Sequence, residues 1–392
     1  MSFNEYNKYK ISDAAEVITG FPFKGEKYSS EGIRVVRGEN VTIGNLRWDS
    51  IKCWNEPFKE IDKYSLTDGD IVIGMDGSRV GKNKAQIKKN DLPLILAQRV
   101  ARLRANDDFS QDFISYVIKS TYFEQYVESI KTGTSIPHIS PQQIKDFEFI
   151  APKKDTQVRI ANLLSSLDNK IDLNLQTNQT LEALAQTLFK EMCLPKSEVL
   201  PNGWKIEKLD NLIETVSVTH KMKQEEIIFL NTSDILEGNV LNNDYSLVST
   251  LPGQAKKSIK RNDILFSEIR PANKRYAFVN FDAADYVVST KLMVLRSKGI
   301  NPYLIYCFLT NNNTLKELQH LAETRSGTFP QITFSQLKDF QIVIPDEETL
   351  NNVSKNIQDI FENIFLNNTE TQTLIALRDS LLPKLMKGEI AL

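Results

Sequence analysis

The stretch IANLLSSLDNKIDLNLQTNQTLEALAQTLFKEM at residues 160–192 decides the architecture, because residues 353–385, VSKNIQDIFENIFLNNTETQTLIALRDSLLPKL, repeat its pattern 193 positions later. In the first copy Ile160, Leu164, Leu167, Ile171, Asn174, Asn178, Leu181, Leu184, Leu188 and Met192 follow four- and three-residue steps. In the second, Val353, Ile357, Ile360, Ile364, Asn367, Thr371, Leu374, Leu377, Leu381 and Leu385 do the same. Such spacing is the heptad-like seam of a helix that packs along another helix. Both seams turn polar at the same place, Asn174/Asn178 and Asn367/Thr371. A polar seam residue lowers stability but fixes register. Matching register with matching interruptions predicts mutual pairing. Ile160, Leu164, Leu167, Ile171, Leu181 and Leu188 are the pairing residues of one helix, and Val353, Ile357, Ile360, Ile364, Leu374 and Leu381 those of the other.

Working outward, the repeat extends over the whole chain. Tyr9-Lys10-Ile11 returns as Trp204-Lys205-Ile206, Gly69-Asp70-Ile71 as Asn262-Asp263-Ile264, and Leu103-Arg104 as Leu295-Arg296. Lys131-Thr132-Gly133-Thr134 matches Arg325-Ser326-Gly327-Thr328, and Ile144-Lys145-Asp146-Phe147 matches Leu337-Lys338-Asp339-Phe340. The offset wanders between 192 and 195 up to about Ser140, then stays at 193 from Lys145 onward. Insertions are tolerated in loops over a globular domain. Along a helical seam each extra residue rotates every later side chain by about 100°. Each half is therefore expected to be a globular domain followed by one uninterrupted helix. Pro152 and Pro345 precede the helices, and CLPKSEVLPNGW, with Pro195, Pro201 and Gly203, reads as the linker. Short β-rich runs such as DIVIG and EFIAP surround one amphipathic helix from about Ser110 to Ile130, whose counterpart opens at Asn301-Pro302 as N-cap and first-turn proline. The expected fold is mixed α/β with an internal pseudo-twofold repeat.

The chain has 392 residues, 41% hydrophobic and 25% charged, which is a globular composition. No apolar run approaches the roughly 20 residues of a membrane span, and the polar start MSFNEYNKYKISD lacks a signal-peptide core. Cys53, Cys193 and Cys307 are scattered and odd in number, which predicts a reducing, cytoplasmic setting.

The net charge is −2, so any nucleic-acid binding must come from charge distribution. From Arg79 to Arg104 there are eight basic residues (Arg79, Lys82, Lys84, Lys88, Lys89, Arg99, Arg102, Arg104) against Asp91 alone. The second half places Lys256, Lys257, Lys260, Arg261, Arg270, Lys274 and Arg275 against Asp263 and Glu268. A cationic zone at equivalent places in both halves predicts a phosphate-contacting face with salt-dependent affinity. The candidates are Arg79, Lys82, Lys84 and Arg99 in the first half, and Arg270, Asn273, Lys274 and Arg275 in the second. All of these but Arg99 lie on GSRVGKNKAQ and IRPANKRYA, which read as loops whose Arg, Lys, Asn and Gln suit base reading in a major groove. Lys131, Thr132, Gly133 and Thr134, with Arg325, Ser326, Gly327 and Thr328, offer N–H and hydroxyl donors to phosphate, although a plain tight turn explains either one alone.

Catalytic chemistry is not found. GMDGSRVGKN has three residues instead of four between Gly77 and Gly81-Lys82, and Asn83 stands where a phosphate-binding loop needs Ser or Thr. There is no Pro-Pro dipeptide for an amino-methyltransferase motif, and no Glu-x-Lys follows Pro345-Asp346. His138, His220 and His320 lie far apart and suggest no metal site.

The order and duplication of these features resemble the specificity subunits of Type I restriction–modification systems, over nearly the whole chain. Carrying the resemblance are Trp204-Lys205 at the second half's opening and the Thr/Ser-Gly-Thr turns. Lys-Asp-Phe before Pro152 and Pro345 and the closing LLPKLMKGEI complete it. It implies a target-recognition domain at 1–152, a helical spacer at 153–193, a linker at 194–203, a second recognition domain at 204–345 and a second spacer at 346–392. It further implies that the helices pair as an antiparallel coiled coil and that each domain reads half of a bipartite double-stranded DNA site. Two methyltransferase subunits and the restriction/translocase subunits would join as partners. S-adenosylmethionine, ATP and magnesium would belong to those partners, with no catalytic residue in this chain. A stand-alone DNA methyltransferase or nuclease, and a DNA-independent coiled-coil adaptor, are the alternatives.

Overall fold

Thr67–Asp70 and Lys260–Asp263 make the same turn, and each launches the central strand of its half. A computed structural model describes residues 6–57, 59–133, 135–194, 199–325 and 330–390 of the chain. In the first turn the Asp70 carboxylate accepts the Thr67 N–H at 2.8 Å, and in the second Asp263 accepts the Lys260 N–H at 2.9 Å. The intervening residues need positive φ: Gly69 at +85° and Asn262 at +73°. Glycine adopts that conformation freely and asparagine tolerates it, which accounts for the Gly-Asp-Ile/Asn-Asp-Ile match.

Both carboxylates are buried, Asp70 to 1% and Asp263 to 0% exposure. Each is gripped by an arginine fork from the neighbouring strand. Arg104 donates Nε and Nη2 to Asp70 at 2.8 and 2.7 Å, and Arg296 donates the same pair to Asp263 at 2.7 and 2.8 Å. The two-point grip sets register, pairing Ile71 with Leu103 and Ile264 with Leu295.

The chain divides into two compact units, residues 1–172 with 371–392, and residues 173–370. In the first, a five-stranded sheet runs in the order Ala15–Thr19, Val100–Ala105, Ile71–Gly74, Lys84–Gln86, Ile43–Gly44. A three-stranded sheet (Cys53–Trp54, Ile33–Val36, Leu94–Leu96) and the pair Asn7–Lys10 with Glu148–Ala151 complete it. In the second, one four-stranded sheet follows the order Ile213–Thr215, Leu292–Ser297, Ile264–Ser267, Tyr276–Phe278. The other runs Tyr245–Leu247, Glu226–Leu230, Tyr286–Ser289, Ala255–Ser258, and Lys205–Lys208 pairs with Gln341–Ile344.

The helix expected from Ser110 to Ile130 is two helices, Gln111–Lys119 and Thr121–Ile130. Ser120 is extended and its hydroxyl accepts the Phe123 N–H, so it caps the second helix instead of continuing the first. At Asn301-Pro302 the asparagine side chain accepts the Tyr303 N–H and proline takes the first turn.

Each long helix, Lys154–Cys193 and Glu347–Met386, has 40 residues and no break. In the first unit Ile160, Ala161 and Leu164 share a core with Leu385 and Met386, and Arg378 Nη1 donates to Asp168 at 2.9 Å. In the second, Asn174 Nδ2 donates to Glu370 at 2.8 Å, and Asn178 pairs with Asn367 and Asn368, each at 2.8 Å. Within each unit, rising numbers on one helix meet falling numbers on the other, so the segments run antiparallel. Ile171, Val353, Ile357, Ile360 and Ile364 are buried, whereas Leu167, Leu181, Leu188, Leu374 and Leu381 are half-buried. Leu184 and Leu377 face solvent, and the buried stripe runs instead through Ala185, Phe189 and Cys193 into the core of the second unit. An α-helix drifts about 20° per heptad from a strict 3.5-residue repeat, and the apolar wall of Tyr303, Tyr306 and Phe308 receives the drifted face.

Asp70→Ala and Asp263→Ala should each remove two charge-assisted hydrogen bonds and a turn cap, at a cost of about 2–3 kcal/mol. Thermal unfolding should show a lower transition for each variant, and an unshifted transition would show that the fork does not hold the strand pair.

Candidate nucleic-acid interface

At the far end of the central strand of the first unit, residues 75–82 form a loop closed by Gly74 N–H to Asn83 O at 2.9 Å. Val80 is buried and Gly81, at φ +85°, lies against Val127, where a β-carbon would approach to 2.7 Å. That anchor leaves Arg79 and Lys82 exposed on either side of it. In the second unit residues 268–274 form the counterpart, closed by Ser267 N–H to Arg275 O at 2.8 Å. This loop is one residue shorter, which turns the repeat offset from 193 at Asp70/Asp263 into 192 at Arg104/Arg296.

Three further backbone bonds recur. Met75 N–H to Arg99 O (3.1 Å) matches Glu268 N–H to Lys291 O (3.1 Å). Ile139 N–H to Met75 O (2.9 Å) matches Ile332 N–H to Glu268 O (2.8 Å), and Gly77 N–H to Pro137 O (3.0 Å) matches Arg270 N–H to Pro330 O (3.1 Å). Each unit thus brings three loops to one end of its sheet. On them stand Arg99, Asp76 and His138 in the first unit, and Lys291, Ile269, Arg270 and Gln331 in the second. Of these, sequence reading singled out only Arg99 and Arg270. His138 and Gln331 stand between the matched Pro137/Pro330 and Ile139/Ile332, so an alignment carried through that loop would have exposed this pair.

The cationic runs are not uniform surfaces. Lys84 is 5% exposed; its ammonium donates to Glu124 at 2.8 Å and to Gly81 O at 3.1 Å. Burial pushes its pKa down, against the pull of Glu124. It is therefore not a phosphate contact. Arg102 is buried against Glu16 and Lys63 O, and Arg104 is held by Asp70. In the second unit Arg275 donates to the carbonyls of Ser233 and Ile235, both at 3.0 Å, so it staples a loop. Lys274 is paired with Glu237 at 2.7 Å, and Lys131 with Glu128 at 2.6 Å. Arg79, Lys82, Arg99, Arg270 and Asn273 remain exposed. Thr132 and His138 exchange backbone bonds at 3.0 and 2.8 Å, so the Thr132 N–H and carbonyl are used inside the protein. Thr134, Ser326, Gly327, Thr328 and the side chain of Arg325 lie outside the described residues.

Beneath the second-unit loop, Glu182 of the first long helix has its pKa pushed up to about 7, first by burial and then by Glu237. Gly238 lies so close that a β-carbon would stand 2.7 Å from the Tyr306 hydroxyl and 3.2 Å from Glu182. Among the described residues no group of three or more His, Cys, Asp or Glu is placed to hold a metal, and no helix is long and apolar enough to cross a membrane.

The Type I restriction modification DNA specificity domain matches this chain twice, at residues 4–183 and 201–377. The chain belongs to that family. The two matches cover both globular halves with most of both helices. The HindI specificity subunit of Haemophilus influenzae is 40% identical over 44% of the chain and 38% of its own length. The chain therefore spans well under half of that relative. The MjaIX specificity subunit of Methanocaldococcus jannaschii is 26% identical over 85% of the chain and 80% of its own length. The crystal structure of a Type I S subunit from M. genitalium superposes with a TM-score of 0.64 at 16% identity, over 98% and 97% of the two chains, showing a shared fold.

Arg79→Ala with Lys82→Ala should flatten the dependence of DNA affinity on salt by roughly one unit per lost phosphate contact. Lys84→Met should leave that slope unchanged and lower the melting temperature instead, by leaving Glu124 without its partner. A flattened slope for Lys84→Met would return this lysine to the binding face. Glu182 offers a pH readout. A carboxyl raised to about 7 when folded favours the folded state less as pH climbs from about 4.5 to 7. Glu182→Gln should therefore raise the melting temperature above pH 7 and leave it unchanged below pH 4; equal shifts at both would exclude titration of this group.

Proposed function

We propose that this chain is the DNA-reading and scaffolding subunit of a Type I restriction–modification enzyme, with each globular half taking one half of a bipartite double-stranded site. The observation that carries this reading is the double match to the specificity domain, one match on each half. The duplicated three-loop frame supports it, because each copy exposes basic side chains that are not consumed by internal pairs.

The chain itself performs no methylation, cleavage or ATP hydrolysis in this reading. Those reactions, with S-adenosylmethionine, ATP and magnesium, belong to methyltransferase and restriction partners. Both helices carry exposed leucines at equivalent positions, Leu173 and Leu366, and Leu184 and Leu377. Apolar side chains repeated at an offset of 193 suit two copies of one partner, and the methyltransferase subunit fills that role. The boundaries 1–152, 153–193, 194–203, 204–345 and 346–392 are the corresponding functional segments. Such a subunit works in the cytoplasm, where the DNA is.

The helices also serve as the ruler for the unread centre of the site. A seven-residue insertion near Asn174 and another near Asn367 preserves the apolar stripe, whereas three or four residues rotate it away. Co-expressed with the methyltransferase subunit, the heptad variant should methylate the same two half-sites with a spacer lengthened by up to about three base pairs, from ~10.5 Å of added helix. An unchanged spacer would remove the ruler role. Methylation by the purified chain without a partner would remove the scaffold reading altogether.

A further inference from the structure

The duplicated frame lets two halves of one molecule be compared side by side on the same backbone. Several residues that hold the frame are the same in both copies: Asp70/Asp263, Arg104/Arg296, Pro137/Pro330 and Ile139/Ile332. Residues that the frame presents differ: Asp76/Ile269, Gly77/Arg270, Arg99/Lys291 and His138/Gln331. A position whose backbone is fixed while its side chain is free to change is where a reader of two unlike sequences would store the difference.

We propose that Arg99 in the first unit, and Lys291 with Gln331 in the second, are the base-reading residues. Arg99 takes a guanine in one half-site; Lys291 takes a guanine and Gln331 an adenine in the other. This rests on the DNA-reading function proposed above.

Arg99 has the required freedom. Its side chain is 71% exposed and its Nε stands 3.8 Å from Asp76, which orients the guanidinium without occupying its donors. Arg102 and Arg104, three and five residues further along, are instead engaged inside the protein by Glu16 and Asp70. A planar fork with free donors matches the O6 and N7 acceptors of guanine, and a carboxamide matches N6 and N7 of adenine. Lys291 is exposed, and its place is fixed from beneath. The ammonium of Lys257 donates to Thr290 O at 3.0 Å and Leu292 O at 2.7 Å, the two carbonyls flanking Lys291. Burying a lysine there lowers its pKa, a cost that clamping the Lys291 turn accounts for. Lys257 is thus a positioning residue for Lys291.

The test uses the full chain in complex with its methyltransferase subunit. The wild-type site is first mapped from the methylated genome, and binding is then measured against duplexes substituted at each base pair in turn. Arg99→Ala should lower discrimination about 10- to 100-fold at one G·C pair of one half-site and leave the other positions unchanged. Lys291→Ala and Lys257→Met should relax one and the same G·C pair of the other half-site, and Gln331→Ala an A·T pair of that half. Lys89→Ala, an exposed lysine at the opposite end of strand Ile71–Gly74, should relax none. Unchanged discrimination, or a uniform fall in affinity with every ratio preserved, would overturn the assignment by making these residues bystanders or phosphate contacts. Lys257→Met relaxing a different pair from Lys291→Ala would overturn the positioning role. A wild-type complex with no bipartite preference would instead overturn the DNA-reading function itself.

Discussion

A carboxylate buried immediately before a central strand needs a permanent partner, and Asp70 and Asp263 each find theirs in an arginine of the adjacent strand. A one-residue slip in strand pairing would turn every side chain to the opposite face. It would also leave the carboxylate without its fork, in a place with no water to replace it. The fork therefore fixes the register of Ile71–Gly74 on Val100–Ala105, and of Ile264–Ser267 on Leu292–Ser297. The remote end of each pair inherits that register. Met75 meets Arg99 and Glu268 meets Lys291 because the strands behind them have no other alignment available.

The same residues explain which parts of the molecule were legible beforehand. Gly-Asp-Ile and Asn-Asp-Ile were recognisable as one motif because a turn that demands positive φ narrows the choice of residue. The long helices were legible because a seam cannot absorb insertions. The basic face was only half legible. A count of lysines and arginines from Arg79 to Arg104 does not distinguish Arg79, on a solvent loop, from Lys84, whose side chain points into the core beside Glu124. Arg102 and Arg104 sit two apart on one strand and so share a face, which is the face that holds Glu16 and Asp70. The break at Ser120 was hidden because the apolar pattern continues across it, and a serine hydroxyl in reach of the Phe123 N–H ended the helix.

The seam of the long helices departed from its heptad for a related reason. Up to Asn178 its buried positions answer the partner helix within each unit and, at Ile160, Ala161 and Leu164, the core of the first domain. Beyond it, Ala185, Phe189 and Cys193 also answer the aromatic wall of the second domain, and the buried stripe follows the larger apolar surface. At the equivalent positions 193 residues later stand Arg378, Leu382 and Met386, and Arg378 turns to Asp168. The copies have therefore diverged where helix meets domain, while the asparagine cluster of Asn174, Asn178, Asn367 and Asn368 holds the register of the second unit.

In the proposed reader, stability and specificity fall at opposite ends of one strand pair. The Asp–Arg fork and the turn beneath it are common to both copies. The loop end is held by main-chain hydrogen bonds, which ask nothing of the side chains they display beyond an unstrained φ. On the proposed reading, substitutions there change what is presented to DNA without changing the hydrogen bonds that do the presenting. A reader of the proposed kind could then acquire a new half-site in one unit at little thermodynamic cost. The limit is set by positions such as Lys257, whose side chain is itself one of the supports.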